Sequence, residues 1–130
     1  MQGPRALIVD DNPVNQELLS FLLESDDFDV LLASSGEEGL KCFDLFAPDV
    51  LILDVQLPGI CGLSLTANVR CRSHQTQPCI VAVTSYAMPG DRERALSAGC
   101  DGYLPKPIDT RTFAADVRRF MLARVRRAVA

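Results

Sequence analysis

Three short runs of apolar residues stand out along the chain, and each is followed by a polar residue. Unbroken apolar runs of this length are typical of strands buried on both faces, as in a parallel sheet. Two less apolar segments fit the ends of such a sheet, where a strand has fewer neighbours. The pattern therefore predicts five strands: central ones at residues 6–9, 50–53 and 80–83, and outer ones at residues 30–33 and 102–104.

Helical patterns lie between the predicted strands. Val14, Leu18, Phe21 and Leu22 follow the spacing of an amphipathic helix, and Pro13 suits its first turn. The first connection is therefore predicted to be a helix.

The later connections carry helix boundary signals. Ser35, followed three residues later by Glu38, resembles a capping box that opens a helix over residues 36–46, and Pro48 stops that helix soon after its end. The other three predicted helices span residues 63–72, residues 91–98 with Gly99 at the end, and a segment that Asp109 caps and that carries Phe113, Val117, Phe120 and Met121.

Strand and helix alternate five times in this prediction. Such alternation implies right-handed crossovers and a doubly wound α/β sandwich, with a parallel sheet between two layers of helices. A length of 130 residues is ordinary for one domain, and we see no linker, repeat or second domain. We therefore expect a single domain over residues 1–130, with its core at about residues 5–124.

Composition excludes several classes of protein. The net charge of −4 argues against a general nucleic-acid binder, which needs a basic surface. The 5 cysteines lack C-x-x-C spacing, so neither a disulfide framework nor a zinc site is indicated, and we interpret them as reduced and mostly buried. No apolar run approaches the ~20 residues of a membrane span, and residues 1–5 lack a signal peptide's apolar core. A cytoplasmic protein is expected.

Polar residues gather at one edge of the predicted sheet. Asp10 and Asp11 follow the first strand, Asp54 and Thr84 end the third and fourth, and Lys106 follows the fifth. In open α/β sheets, ligands bind outside the carboxyl ends of the strands. Carboxylates held close together repel one another unless a cation lies among them. Because the available ligands are oxygens, the sequence favours a hard divalent ion, and Mg²⁺ fits.

Four motifs together resemble the receiver domain of response regulators: V-D-D-N at 9–12, L-I-L-D-V-Q-L-P-G at 51–59, V-T-S-Y-A-M at 83–88 and G-Y-L-P-K-P at 102–107. The resemblance covers Arg5 to about Arg124 and is strongest to stand-alone receivers and to those attached to hybrid histidine kinases. It implies a flavodoxin-like (βα)5 fold with strand order 2-1-3-4-5.

The resemblance also assigns a role to each residue of the site. It makes Asp54 the phosphoacceptor and, with Asp10 and Asp11, a ligand of Mg²⁺, to which Gln56 adds its backbone carbonyl. Thr84 would bond one phosphoryl oxygen.

Further roles follow from the same resemblance. Lys106 would pair with another phosphoryl oxygen, and its peptide bond to Pro107 would be cis. Tyr103 would be the aromatic residue that changes rotamer with Thr84, while Gln56 and Tyr86 would tune how fast water removes the phosphoryl group.

The same resemblance implies protein partners and no activity beyond the domain's own phosphorylation and dephosphorylation. The donor would be a phosphohistidine on a histidine kinase or a histidine phosphotransfer protein, whereas His74 of this chain is interpreted as a surface residue. The signal would leave through a surface at about residues 91–121, where we expect a downstream protein or a second copy of the chain to bind.

Other functions fit the residues less well. A flavodoxin-like cofactor binder needs a Ser/Thr/Gly-rich phosphate loop where this chain has Asp10-Asp11-Asn12-Pro13. A phosphohydrolase of the haloacid dehalogenase type expects a second Asp at the position of Gln56. Two alternatives stay open: the chain could be the C-terminal receiver of a hybrid kinase, or an adaptor that works without phosphorylation.

Overall fold

The computed structural model describes residues 3–72, 77–85 and 89–129. Its strands form one parallel sheet in the order β2-β1-β3-β4-β5, which confirms the predicted fold. The central strands are buried on both faces, as their apolar runs predicted. The strands are β1 (Arg5–Val9), β2 (Asp29–Ala33), β3 (Val50–Asp54), β4 (Cys79–Thr84) and β5 (Gly102–Pro105).

Helices cover both faces of the sheet and divide the core into two layers. One layer joins the sheet to the first and fifth helices through Leu19, Leu23, Phe113 and Val117. The other joins it to the second, third and fourth helices. The helices are α1 (Pro13–Glu24), α2 (Gly36–Phe46), α3 (Gly62–Arg70), α4 (Asp91–Ala98) and α5 (Phe113–Val129).

Most of the apolar residues from which α1 was predicted do not lie on the buried face of the helix. Leu19 and Leu23 are buried, whereas Val14 and Phe21 are 72% and 66% exposed and Leu18 is 38% exposed. The helix carries apolar residues around much of its circumference, so periodicity alone could not select the side that meets the sheet. The predicted helix is correct, but three of the four residues of its expected apolar stripe are exposed, and only Leu22 packs against the core.

Helix ends differ in detail from the sequence prediction. Ser35 Oγ accepts from Glu38 N at 3.1 Å as expected, while the Glu38 carboxylate reaches back to Ser34 N. Gly99 ends α4 with a φ of 114°, a conformation that favours glycine. Asp109 does not cap α5 directly, because it opens the turn before the helix and its side chain accepts from Arg111 N. Helix α3 lies slightly earlier than predicted, at Gly62–Arg70.

The cysteines are free, as expected, but the expectation that most are buried is wrong. Cys79 and Cys100 are buried, whereas Cys61 and Cys71 are exposed and Cys42 is half-buried. The exposed pair flanks α3, where cysteine stands at the N-cap and the C-cap. Helix ends lie at the surface, so a small apolar side chain there does not enter the core.

Candidate functional site

The parallel strands bring the predicted site residues to one edge of the sheet. Asp54 ends β3 and pairs in register with Val83, and Thr84 ends β4 and pairs with Pro105. Asp10 directly follows β1, and Lys106 directly follows β5. Residues more than 90 positions apart in the chain, such as Asp10 and Lys106, therefore come into direct contact.

Lys106 lies between two acidic side chains. Its Nζ is 2.9 Å from Asp54 Oδ2 and 3.6 Å from Asp10 Oδ2. Carboxylate oxygens of Asp10, Asp11 and Asp54 all lie within 4.8 Å of one another. The three carboxylates and the ammonium group thus form one charged cluster, of which Asp11 is the exposed member.

The backbone orients both buried carboxylates in the same manner. Asn12 N donates to Asp10 Oδ1 at 2.9 Å, and Gln56 N donates to Asp54 Oδ1 at 2.9 Å. In each case the donor is the amide two residues farther along, as in an Asx-turn. One oxygen of each carboxylate is therefore held by the loop, while the other lies near Lys106.

Burial and charge act against each other in this cluster. Burial raises the pKa of Asp10, and it outweighs the Asn12 hydrogen bond and the attraction of Lys106, which lower it. For Lys106, burial lowers the pKa, but the hydrogen bond to Asp54 and the attraction of both carboxylates raise it further, so the net direction is upward. The charge of the buried Asp10 carboxylate is therefore only partly offset by its neighbours.

The donor atoms fit a hard divalent cation. The cluster offers carboxylate oxygens, and no His or Cys belongs to it among the described residues. An oxygen-only set is suited to Mg²⁺, which uses few carboxylates and keeps several waters. The unfavourable burial of the Asp10 charge is the kind of deficit that such an ion would remove.

Thr84 and Tyr103 line one cavity beside this cluster. The cavity has a volume of about 350 Å³, and Gln56 also borders it. Thr84 is buried, and its carbonyl accepts from Lys106 N at 2.8 Å, which ties the end of β4 to the lysine. Tyr103 is half-buried and packs against the core layer that includes α3 and α4. The two residues therefore share one cavity wall.

The other residues predicted for the site, and two residues that were not predicted, are located as follows. The Lys106–Pro107 peptide bond is cis, and the Gln56 side chain is exposed. Tyr86 and His74 lie outside the described residues. The sequence analysis missed Asp91 and Arg94, an ion pair on α4 that borders the Tyr103 cavity.

Nothing in the local sequence distinguishes that pair from an ordinary solvated helix pair. A charged pair three residues apart is common on exposed helix faces. Only the packing of α4 against the sheet brings it to the cavity wall.

Comparison with known proteins identifies the family. Residues 6–118 match the family model of the response regulator receiver domain. The chain belongs to that family. The receiver is 32% identical over 115 residues to the polar-differentiation response regulator DivK of Brucella ovis, which covers 88% of this chain and 94% of DivK.

Solved receivers share the fold. The chemotaxis response regulator CheY4 of Vibrio cholerae superposes with a TM-score of 0.84 at 26% identity, covering 90% of this chain and 98% of CheY4. The receiver domain of Saccharomyces cerevisiae Ssk1, solved in complex with the histidine phosphotransfer protein Ypd1, gives a TM-score of 0.85 at 25% identity over 95% and 92% of the two chains.

These findings confirm that the protein is a receiver of the two-component and phosphorelay type. Neither the flavodoxin-like cofactor binder nor the phosphohydrolase is supported. Within the described residues, no helix is long and apolar enough to span a membrane.

Proposed function

We propose that this receiver takes a phosphoryl group from a phosphohistidine onto Asp54, with Mg²⁺ bound by Asp10, Asp11, Asp54 and the Gln56 backbone carbonyl. The observation that carries the proposal is the 2.9 Å contact between Lys106 Nζ and Asp54 Oδ2 within a cluster of three carboxylates. A carboxylate that is buried, oriented by a backbone amide and paired with a lysine is well prepared to act as a nucleophile.

The proposed phosphoryl transfer needs no reactant other than the phosphohistidine and Asp54. An Asp54 carboxylate oxygen forms a bond to phosphorus, the P–N bond of the phosphohistidine breaks, and the electron pair leaves with the imidazole. Lys106 lies close enough to neutralise charge on one phosphoryl oxygen, and buried Thr84 borders the same region. A bound Mg²⁺ supplies the remaining positive charge that phosphoryl transfer needs.

The exposed face of α1 suits the docking of the phosphohistidine donor. Val14, Leu18 and Phe21 form an apolar surface on the helix that follows the acidic pair. Leu18 also lines a cleft together with Lys106 and Pro107, so this surface extends to the site. Ssk1 was solved with a histidine phosphotransfer protein. A donor of that class, or a histidine kinase, is the proposed occupant.

The signal is proposed to leave through α4, β5 and α5, at about residues 91–121. Tyr103 lies on β5 and shares a cavity with Thr84, so movement of the Thr84 hydroxyl toward a phosphoryl oxygen would let the ring turn inward. A downstream protein or a second copy of the chain would bind the altered surface. Gln56 and Tyr86 would tune the lifetime of the phosphoryl group. A cytoplasmic location and a single-domain organisation stay predictions.

The direct test is labelling with acetyl phosphate and Mg²⁺, followed by intact-mass analysis. The wild-type protein should gain one hydroxylamine-sensitive phosphoryl group, and Asp54→Asn should gain none. Asp109→Asn is the control, because Asp109 is an exposed carboxylate in the turn before α5. Equal labelling of Asp54→Asn and the wild type would contradict the proposal.

A second experiment separates donor docking from chemistry. Phe21→Ser should slow phosphotransfer from a purified phosphohistidine protein on the order of tenfold, because it removes an apolar anchor, while labelling by acetyl phosphate should not change. Leu45→Ser is the matched control, since Leu45 is 88% exposed but lies on α2. Equal slowing with both phosphodonors would show that α1 does not act as a docking surface.

A further inference from the structure

The side-chain amide of Gln16 lies between the carboxyl ends of β1 and β2. Its Nε2 is 2.6 Å from the Asp10 carbonyl, 3.0 Å from the Ala33 carbonyl and 3.2 Å from Ser34 Oγ. Gln16 itself stands one turn into α1, where Gln16 N donates to the carbonyl of the N-cap Asn12. Helical side chains lean toward the N-terminus, which directs this amide back onto the strand ends.

The Gln16 amide links β1 and β2 just beyond the last backbone hydrogen bond between these two strands. Asp10 N donates to Ala33 O at 3.1 Å. Beyond that bond, the segments that follow β1 and β2 separate and lead into α1 and α2. Within the described part of the chain, Gln16 is the only hydrogen-bond donor to the Asp10 carbonyl. The orientation of the peptide between Asp10 and Asp11 therefore depends on this contact.

The orientation of that peptide affects the site because few other contacts hold Asp11 in place. Its side chain is exposed, and no hydrogen bond or ion pair joins its carboxylate to another residue that the structure describes. By contrast, Asp10 is oriented by Asn12 N and lies beside Lys106. The backbone at Asp10–Asp11 therefore contributes more to the position of the Asp11 carboxylate than contacts of its side chain do.

We propose that Gln16 is a positioning residue for the divalent-cation site, where it holds the Asp10–Asp11 peptide so that the Asp11 carboxylate points into the cluster. This inference rests on the proposed Mg²⁺ site. An amide fits the place because its nitrogen faces three acceptor oxygens, among which a carboxylate at this position would be repelled.

The test measures Mg²⁺ binding directly, by NMR titration of the Asp11 and Gln56 amides, alongside the Mg²⁺ dependence of acetyl phosphate labelling. Gln16→Met keeps the side-chain length and removes the donor. Gln16→Asn, which keeps the amide but shortens the side chain, is the second variant. For both we expect Mg²⁺ binding about three- to tenfold weaker, the loss typical of one positioning hydrogen bond. The maximal labelling rate at saturating Mg²⁺ should stay within about twofold of wild type.

Two controls separate positioning from stability. Glu17→Met alters an exposed neighbour on the same helix, and Val117→Ala destabilises the buried core of α5 away from the site. Both should bind Mg²⁺ as the wild type does. Unchanged Mg²⁺ affinity in the Gln16 variants, or an equal loss in Val117→Ala, would overturn the inference while wild-type labelling still supports the proposed function. A wild-type protein that neither binds Mg²⁺ nor becomes labelled would overturn both.

Discussion

Replacing Asp10 by asparagine should stabilise the fold and abolish the proposed metal site. Asp10 is only 2% exposed, and the change removes its charge while keeping the Oδ1 acceptor for Asn12 N. In Mg²⁺-free buffer, Asp10→Asn should therefore unfold at a higher denaturant concentration than the wild type. With Mg²⁺ present, the advantage should shrink or reverse, because only the wild type gains stability from the ion.

The magnitude follows from the charges around Asp10. At an effective dielectric of about 20, repulsion from Asp54, which lies within 4.8 Å, is at least about 3.5 kcal/mol, and attraction to Lys106 at 3.6 Å is about 4.6 kcal/mol. Asp11 adds further repulsion, so the charges leave little net attraction and the cost of burial decides the sign. Burial is also the main cause of the raised pKa of Asp10. We expect a gain of about 1–2 kcal/mol, a common size when a strained functional group is replaced.

The pH dependence has a defined sign. Because the pKa of Asp10 is raised by folding, the folded state binds more protons than the unfolded state between the ordinary carboxylate pKa and the raised one. Wild-type stability should fall as pH rises through that window, and this contribution should be missing in Asp10→Asn. The difference between the two proteins should therefore grow with pH and become constant above the raised pKa of Asp10.

Urea unfolding followed by circular dichroism, in EDTA and in Mg²⁺, measures each of these quantities. At a Mg²⁺ concentration of about 100 Kd, the wild type should gain about 2.7 kcal/mol, and the variant should gain nothing. The reasoning would be refuted if Asp10→Asn were less stable than the wild type in EDTA at neutral pH with an unchanged denaturant slope. In that case the contact with Lys106, rather than burial, would dominate.

Three further predictions address the metal, the switch and the fold. Asp11→Ala, or excess EDTA with the wild type, should suppress acetyl phosphate labelling, and undiminished labelling in EDTA would exclude the metal. Thr84→Ala should still be labelled but should lose most of the phosphorylation-dependent NMR shift around Tyr103, whereas a full wild-type shift pattern would exclude that coupling. Asp101→Asn should lower the free energy of unfolding by about 1–3 kcal/mol, because its 4% exposed carboxylate holds Arg124 on α5. Chemical denaturation measures this, and an unchanged midpoint would refute it.

Much of the site was visible in the sequence because the fold is a parallel sheet. Each buried strand is an unbroken apolar run, and the residue that follows a run must lie at the carboxyl edge. Asp10, Asp54 and Thr84 could be placed there without knowing any distance, and Lys106 could be placed there because it follows the less apolar fifth strand. Their chemistry then indicated a cation, and the resemblance to receiver domains implied a phosphoryl group, before the contact between Lys106 and Asp54 was known.

Only the tertiary structure decided how the helices are turned and what their polar side chains touch. In α1, Leu19 and Leu23 meet the sheet and Phe21 faces solvent, although all three are apolar, because contact with the strands selects one side of a helix that is apolar on several. Gln16 looks like an ordinary polar helix residue until its amide is seen between two strand ends. Asp101 likewise finds its arginines 31 and 23 residues away. Sequence periodicity reports the spacing of side chains along one element, whereas these contacts depend on how separate elements pack together.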